Sequence, residues 1–364
     1  MRFYNSFLSA GIAAIYISSP VVAQDWPKET NPEWDATLLA GQSDGELVLA
    51  GAPQLSGDFI EQFETDTSID VVFVTGPHSE LGSRFIREVE ANAATIDIFF
   101  SGPNTFPLLE TEYLMAIPPI LVLPEVTNGE NWRQGKIPFA DTVGQYMPVP
   151  SLYLSGRTLV NTNNVDPETI STWDDLLRPE FKGKIITQFA PTFGGCLTLA
   201  AYLMQEKGAE FVEAFYIGQE IVTTREYRDV TDGVARGTYT IGLSARPSDI
   251  TKYQQEGIDY LAVLGMADVS GYIVAGSAVT TVATNGPNPN ASAVFMNWLL
   301  SQRGQTAFSA AFSVPSERLD VTDGDWPKSI EPLPGQGYQN NYSQDWRQVE
   351  RLPFQDAAVS IILQ

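Results

Sequence analysis

Cysteine and histidine are almost missing from this chain, and bases are outnumbered by acids. Cys196 is the only cysteine and His78 the only histidine in 364 residues. No internal disulfide can form, and zinc centres built from several Cys or His side chains are excluded. A Ser-His-Asp hydrolase would have to run through His78, and no Gly-x-Ser-x-Gly elbow is present. The stretch "GENWRQGKI" mimics a phosphate loop, but its glycines stand one position too far apart and no Ser or Thr follows the lysine. With 21 Lys and Arg against 44 Asp and Glu, the formal charge is -23, which repels nucleic acid and anionic lipid and keeps a protein soluble.

Long apolar runs are scarce as well. The start, "MRFYNSFLSAGIAAIYISSPVVAQ", has one early Arg2, an apolar run over 7–17 and small residues ending at Ala23. This pattern predicts a secretory signal over 1–23, cut before Gln24. The run falls short of the roughly 20 residues that a bilayer span needs. No cysteine near the cut offers a lipid anchor, so an exported soluble protein without membrane insertion is expected. Arg2 is the only charge in the segment, so its removal takes -23 to -24.

What is present is the patterning of a globular α/β chain. Hydrophobic content of 43% with 18% charged residues excludes a disordered protein, and 364 residues suffice for two cores. After a leader over 24–42, a strand at 46–50 leads through a turn with Pro53 to a helix bearing Phe59 and Phe63. Next come a strand at 69–75, a helix with Leu81, Phe85 and Val89, and a strand at 96–100. A proline-rich interval over 117–150 is expected to wrap the surface. Then "SGRTLVNT" and "GKIITQF" read as strands flanking "STWDDLLRP", a short helix with a Ser/Thr cap. Helices over 196–207 and 210–219 follow, then the strands "TYTIGLSA", "YLAVLG" and "GYIVAGSAV". "NASAVFMNWLLSQRGQTAFS" reads as one helix burying Val294, Trp298 and Leu299, and the tail from Asp325 as an irregular extension.

Several residues invite a ligand, each beside a plainer reading. Gly194-Gly195 precede an apolar helix, where free N–H groups and the helix dipole favour an anion, or where the turn simply needs glycine. Cys196 at that helix start has the position of an activated thiol but lacks a base, and reads better as a small filler. In "GPHSEL", His78 and Ser79 open a helix as caps, as ligand donors, or as both. Arg246 ends a strand, where it suits carboxylate, phosphate or phosphonate, or forms a salt bridge between elements. Arg225 and Tyr227 are weaker candidates of the same kind. Tyr153 and Phe193 offer stacking or packing.

Taken in order, "VVFVTGPHSELGSRFIREVEANAATIDIFFSG", "LVNTNNV", "TWDDLLRPEFKGKI", "GPNPNASAVFMNWLLSQRGQ" and "SVPSERLDV" resemble the periplasmic substrate-binding proteins of ABC importers. The resemblance covers roughly residues 33–322, in the branch with ferric-ion-binding and sugar-phosphate-binding members. It implies a type II periplasmic-binding-protein fold: two α/β lobes joined by crossing hinge strands, with a ligand cleft between them. By that analogy lobe 1 comprises 43–155 with 276–324, and lobe 2 comprises 156–275 with the extension 325–364. The chain would cross near Ser155-Gly156-Arg157 and return near Ala275.

The same resemblance implies a monomer that hands its ligand to an inner-membrane permease, with no cofactor and no chemistry. It places Pro53, Ser101 and Gly102 on the first-lobe side of the cleft, and an oxyanion at the turn from Thr192 to Cys196. Ferric-binding relatives use two adjacent tyrosines where this chain has Arg246-Pro247-Ser248, and a histidine and a glutamate where it has Pro53 and Gly102. Hard iron ligands are therefore absent from those positions, so free ferric iron is not expected. A small organic anion is expected, with a metal chelate as a variant. The alternatives are an exported enzyme of the same architecture, including a transferase holding a cofactor on Cys196, and a sensor feeding a membrane receptor.

Overall fold

The computed structural model describes residues 26–76, 78–102, 105–188, 195–333 and 335–363, so the predicted signal segment lies outside the described residues. Twelve strands are formed among them: β1 Glu46–Ala50, β2 Asp70–Val74, β3 Ile98–Ser101, β4 Tyr153–Ser155, β5 Thr158–Asn161, β6 Ile185–Gln188, β7 Val222–Thr224, β8 Ile241–Leu243, β9 Leu261–Leu264, β10 Tyr272–Val274, β11 Val279–Val282 and β12 Gln339–Asn340. The helices are α1 Pro32–Asp44, α2 Asp58–Thr67, α3 His78–Glu90, α4 Pro124–Thr127, α5 Gly195–Lys207, α6 Ala209–Glu213, α7 Tyr227–Ala235, α8 Pro247–Gln255, α9 Pro289–Leu300, α10 Gln302–Phe312 and α11 Leu352–Ile362. Among the described residues no helix is long and apolar enough to cross a membrane.

One sheet has the order β11-β3-β1-β2, with β1 parallel to both β2 and β3 and β11 antiparallel to β3. Parallel strands are covered on both faces, which is why β1 can be apolar at four successive positions. On one side Phe59 and Phe63 of α2 meet Phe295 and Trp298 of α9 edge to face, at 5.1–6.2 Å between ring centres. Asp97, fully buried, accepts from the backbone N–H of Val48 and from both the backbone and side-chain nitrogens of Asn288. Those bonds tie β1 to the loop after β11.

A second sheet has the order β7-β6-β8-β5-β9, with β6 parallel to β7 and β8, and β5 antiparallel to β8 and β9. Its helix α5 is buried at every position from Cys196 to Met204. A helix apolar all round needs a neighbour on its outer face. That neighbour is α11, which packs along it. At the C-terminus of α5, Lys207 bonds Asp174 at 2.8 Å and Asp268 at 2.7 Å, a cation where the helix dipole favours one.

Between the two bodies lies a three-stranded sheet in the order β12-β10-β4. The chain crosses on β4 and returns antiparallel on β10, pairing Ser155 with Tyr272 and Tyr153 with Val274. Gly271 has φ +84°, and a Cβ there would lie 2.7 Å from the Ser155 carbonyl oxygen, so a side chain would force the crossing strands apart. The expected two-lobe α/β architecture with crossing strands is thus the observed one.

Four local expectations are corrected. The interval 117–150 is an integral part of the first core, with Ile117, Leu123, Val126, Met147 and Val149 fully buried and Trp132 donating to the Val126 carbonyl. In "STWDDLLRP" the expected Ser/Thr cap is formed: Thr172 Oγ1 accepts from the Asp175 N–H, and the Asp175 carboxylate accepts in return from the backbone N–H groups of Ser171 and Thr172. Those bonds hold its pKa at about 2. Residues 210–219 split into α6 and a wider turn over Ala214–Gly218. The single helix over "NASAVFMNWLLSQRGQTAFS" is broken at Ser301, whose hydroxyl donates to the Trp298 carbonyl, closing α9, and accepts from Gly304 N–H, capping α10. The tail is not irregular: it adds β12 beside β10 and ends in α11. Its residues divide between the cores, with Trp326, Ile330 and Tyr342 in the first and Ala358 in the second.

Candidate functional site

In both bodies the parallel strands end toward the same gap. β1 runs into the turn at Pro53 and β3 into Gly102, while β6 ends at Gln188 and β7 and β8 run into 225–227 and 244–246. Gln54, beside Pro53, approaches Ser248 of α8 to 3.5 Å, and α10 packs against both that turn and α8. Crevices at the carboxyl ends of strands are where open α/β sheets take ligands.

The second body's edge is built around Arg246. Ser244 follows β8 in the left-handed conformation at φ +59°, turning the chain sharply. Arg246 precedes Pro247, whose ring disfavours helical backbone before it, and stands extended at φ -79°, ψ 137° at the head of α8. Its guanidinium carbon sits 5.0 Å from the centre of the Tyr227 ring, and Nε is 3.2 Å from Asp249 Oδ2. That pair is a single contact poorly aligned for a hydrogen bond, since neither atom has a hydrogen-bond partner. Asp249, three residues on, is thus the acid that Arg246 faces, as an ion pair within the first turn of α8. With its side chain 35% exposed, Arg246 is open to a ligand yet shielded from full solvation.

Tyr153 on β4 joins this pair from the crossing strands. Burial, then Tyr227, raises its phenol well above the ordinary value, while Arg246 opposes the rise. Tyr153 is therefore a neutral hydroxyl donor at neutral pH. Its hydroxyl fits against Gly276, where a Cβ would lie only 2.6 Å away. Beside this cluster lies a small crevice of about 30 Å³, bounded by Tyr153, Ser155, Arg157, Ser244, Pro247 and Ile330. Arg157 Nε is buried there without a partner, and desolvation lowers its pKa.

Of the candidates read from the sequence, the structure brings Arg246 and Tyr227 together and adds Tyr153. Pro53 is exposed across the gap and Gly102 half-buried at the end of β3. Arg225 is exposed, and its carbonyl accepts from Gln188 Nε2 at 3.3 Å. Cys196 turns inward: it is 1% exposed, its sulfur lies 4.0 Å from the Tyr216 hydroxyl, and burial pushes the thiol up to about 11. Its side chain is core filling, not a ligand contact. His78 and Ser79 begin α3 and Gly195 begins α5. The side chains of His78, Ser79 and Ser101, and the whole of Thr192, Phe193 and Gly194, lie outside the described residues. Arg157 was missed as a site residue, although it stands in the predicted crossing segment.

Residues 58–334 match the model of the family described as bacterial extracellular solute-binding protein, more than half of the chain. The chain belongs to that family. It is a solute-binding protein. No curated protein matches it in sequence. Among solved structures, the substrate-binding protein of an ABC transporter from Agrobacterium tumefaciens is similar at TM-score 0.68 and 14% identity, covering 90% of this chain and 96% of that one. A Trichodesmium protein in complex with iron and citrate is similar at 0.62 and 17%, covering 87% and 98%. The spermidine/putrescine-binding PotD of Streptococcus pneumoniae, in complex with calcium and HEPES, is similar at 0.62 and 12%, covering 87% and 98%. These likenesses show the type II fold, which is shared by binding proteins of unlike ligands.

Proposed function

We propose that this solute-binding protein, exported by a signal over 1–23 cut before Gln24, captures a small organic anion for import and does no chemistry on it. The observation that carries the reading is Arg246: a partly exposed guanidinium at the strand-end edge, laid on Tyr227, beside a neutral phenol, with Asp249 as its local acid. A site for a polyamine would present carboxylates in that place; arginine suits carboxylate, phosphate or phosphonate. The head of α5, across the same edge, adds backbone N–H groups and a favourable dipole. An iron chelate of an organic acid fits the same reading, because the acid brings the hard ligands and presents carboxylates to the protein. Among the described residues no three His, Cys, Asp or Glu side chains group to hold a metal directly.

The test is calorimetry on the chain from Gln24 against butyrate, succinate, citrate, ferric citrate, a sugar phosphate, a phosphonate and spermidine. Anions should bind, and Arg246→Ala should weaken them by about 10- to 100-fold, the loss of one charge-assisted pair. Spermidine as the tightest ligand, or unchanged anion affinity in Arg246→Ala, would sink the reading.

A further inference from the structure

Arg157, where the chain enters the second body, has no acid to answer it. The residue is half-buried, its Nε is enclosed without a hydrogen-bond partner, and no carboxylate stands at ion-pair distance among the described residues. The guanidinium lies instead against backbone. A Cβ on Gly265 would overlap its Nη1, and one on Gly271 would come within 4.0 Å of its central carbon. An enclosed cation without a counter-charge is costly unless an anion joins it.

Strand register says where that anion would sit. β5 runs antiparallel to β8 with Thr158 opposite Leu243, so Arg157 stands beside Ser244, at the end of the sheet where the chain turns toward Arg246. Side chains two apart on a strand share a face, and Leu159 packs with Val230 and Val234 of α7 and with Ile250 of α8. Arg157 is therefore on the face that these helices cover, at the end where Tyr227 begins α7 and Arg246 heads α8. The crevice at that corner confirms the direction: Tyr153, Ser155 and Arg157 line it from the crossing segment, and Ser244, Ala245 and Pro247 line it from around Arg246. Its other walls are apolar, where a charge pair is screened less than in open water. At about 30 Å³ it admits one small polar group and not a whole ligand.

We propose that Arg157 is a second ligand-anchoring residue, seating one anionic group in this crevice while Arg246 holds another. The ligand is then a small organic anion with two separated anionic groups, such as a dicarboxylate or a phosphorylated acid, rather than a monoanion. This rests on the anion reading of Arg246 and deepens it.

The test measures binding of succinate, citrate and 3-phosphoglycerate against butyrate, on the chain from Gln24 and on Arg157→Gln, Arg157→Lys and Arg246→Ala. Wild type should prefer at least one two-group probe to butyrate by about 10-fold or more. Arg157→Gln should erase that preference, weakening the two-group probe about 10- to 100-fold and butyrate less than about 3-fold. Arg157→Lys keeps the charge and should keep part of the preference. No preference in wild type, an unchanged one in Arg157→Gln, equal losses for both probes, or a lysine variant as weak as the glutamine one overturns the second anchor while leaving the anion reading intact. Anion binding indifferent to Arg246→Ala, or absent for every probe, overturns both. Melting without ligand is an independent readout: Arg157→Gln removes a charge that no protein group pairs, and should melt no lower than wild type. A fall of many degrees would mark Arg157 as packing against Gly265 and refute the assignment.

Discussion

Glu317→Gln should stabilise this protein at pH 8 and leave it unchanged at pH 4. Glu317 follows α10 in a turn held by two backbone bonds, Glu317 N–H to Pro150 O and Arg133 N–H to Glu317 O. Its carboxyl is 3% exposed, and the cation beside it, Arg133, is 3.6 Å away and 40% exposed. Burial outweighs that partner and raises the carboxyl from 4.5 to about 7. Between those values the folded chain keeps a proton that the unfolded chain has released. Folding stability from this group is therefore full below about 4.5, falls as pH rises to about 7, and is flat above. At about 1.4 kcal/mol for each pKa unit, the loss is about 3 kcal/mol. Glutamine mimics the protonated acid at every pH, while a lost surface-side ion pair subtracts at most about 1 kcal/mol. Urea unfolding followed by tryptophan fluorescence at pH 4, 5, 6, 7 and 8 should show the variant gaining on wild type across this window, reaching about 2–3 kcal/mol. A difference constant with pH would refute the argument.

Two further outcomes check the packing. Cys196 should resist a thiol-specific reagent at pH 8 until the protein is unfolded, since a thiol near 11 is only roughly one part in a thousand ionised there and is enclosed; fast labelling of the native protein would place it at the cleft after all. Gly304→Ala should destabilise by about 2 kcal/mol or more, read as a lowered urea midpoint, because a Cβ would overlap the Trp298 carbonyl and lie 2.7 Å from Leu299 Cα, both rigid backbone; an unchanged midpoint would contradict the tight α9–α10 corner.

Much of this fold is legible in the sequence because its signals are local. The strand over 46–50, the helix faces with Phe59 and Phe63 or Leu81, Phe85 and Val89, and the apolar run after Cys196 appear at the expected places. The misreadings arose where one residue serves two neighbours, as Ser301 closes one helix and caps the next. They also arose where burial is supplied from far away, as for the 117–150 interval and α11. The α5 run held a hint that went unused: a helix without a polar face requires an outer partner, which the tail provides.

For the site, the sequence by itself determined which residue types exist. One cysteine and one histidine removed zinc clusters and most hydrolase triads, the missing tyrosine pair after β8 removed the expected iron ligands, and the motif order pointed to the family. Tertiary structure decided which side chains meet. Arg246, Tyr227 and Tyr153 come from separate segments, and their approach depends on how the crossing strands set one body against the other. The same holds for Cys196, whose position at a helix start suggests reactivity while its facing makes it inert. Chain spacing fixes which face of an element a residue occupies, but which neighbour covers that face is a property of the assembled fold, and it sets both desolvation and charge.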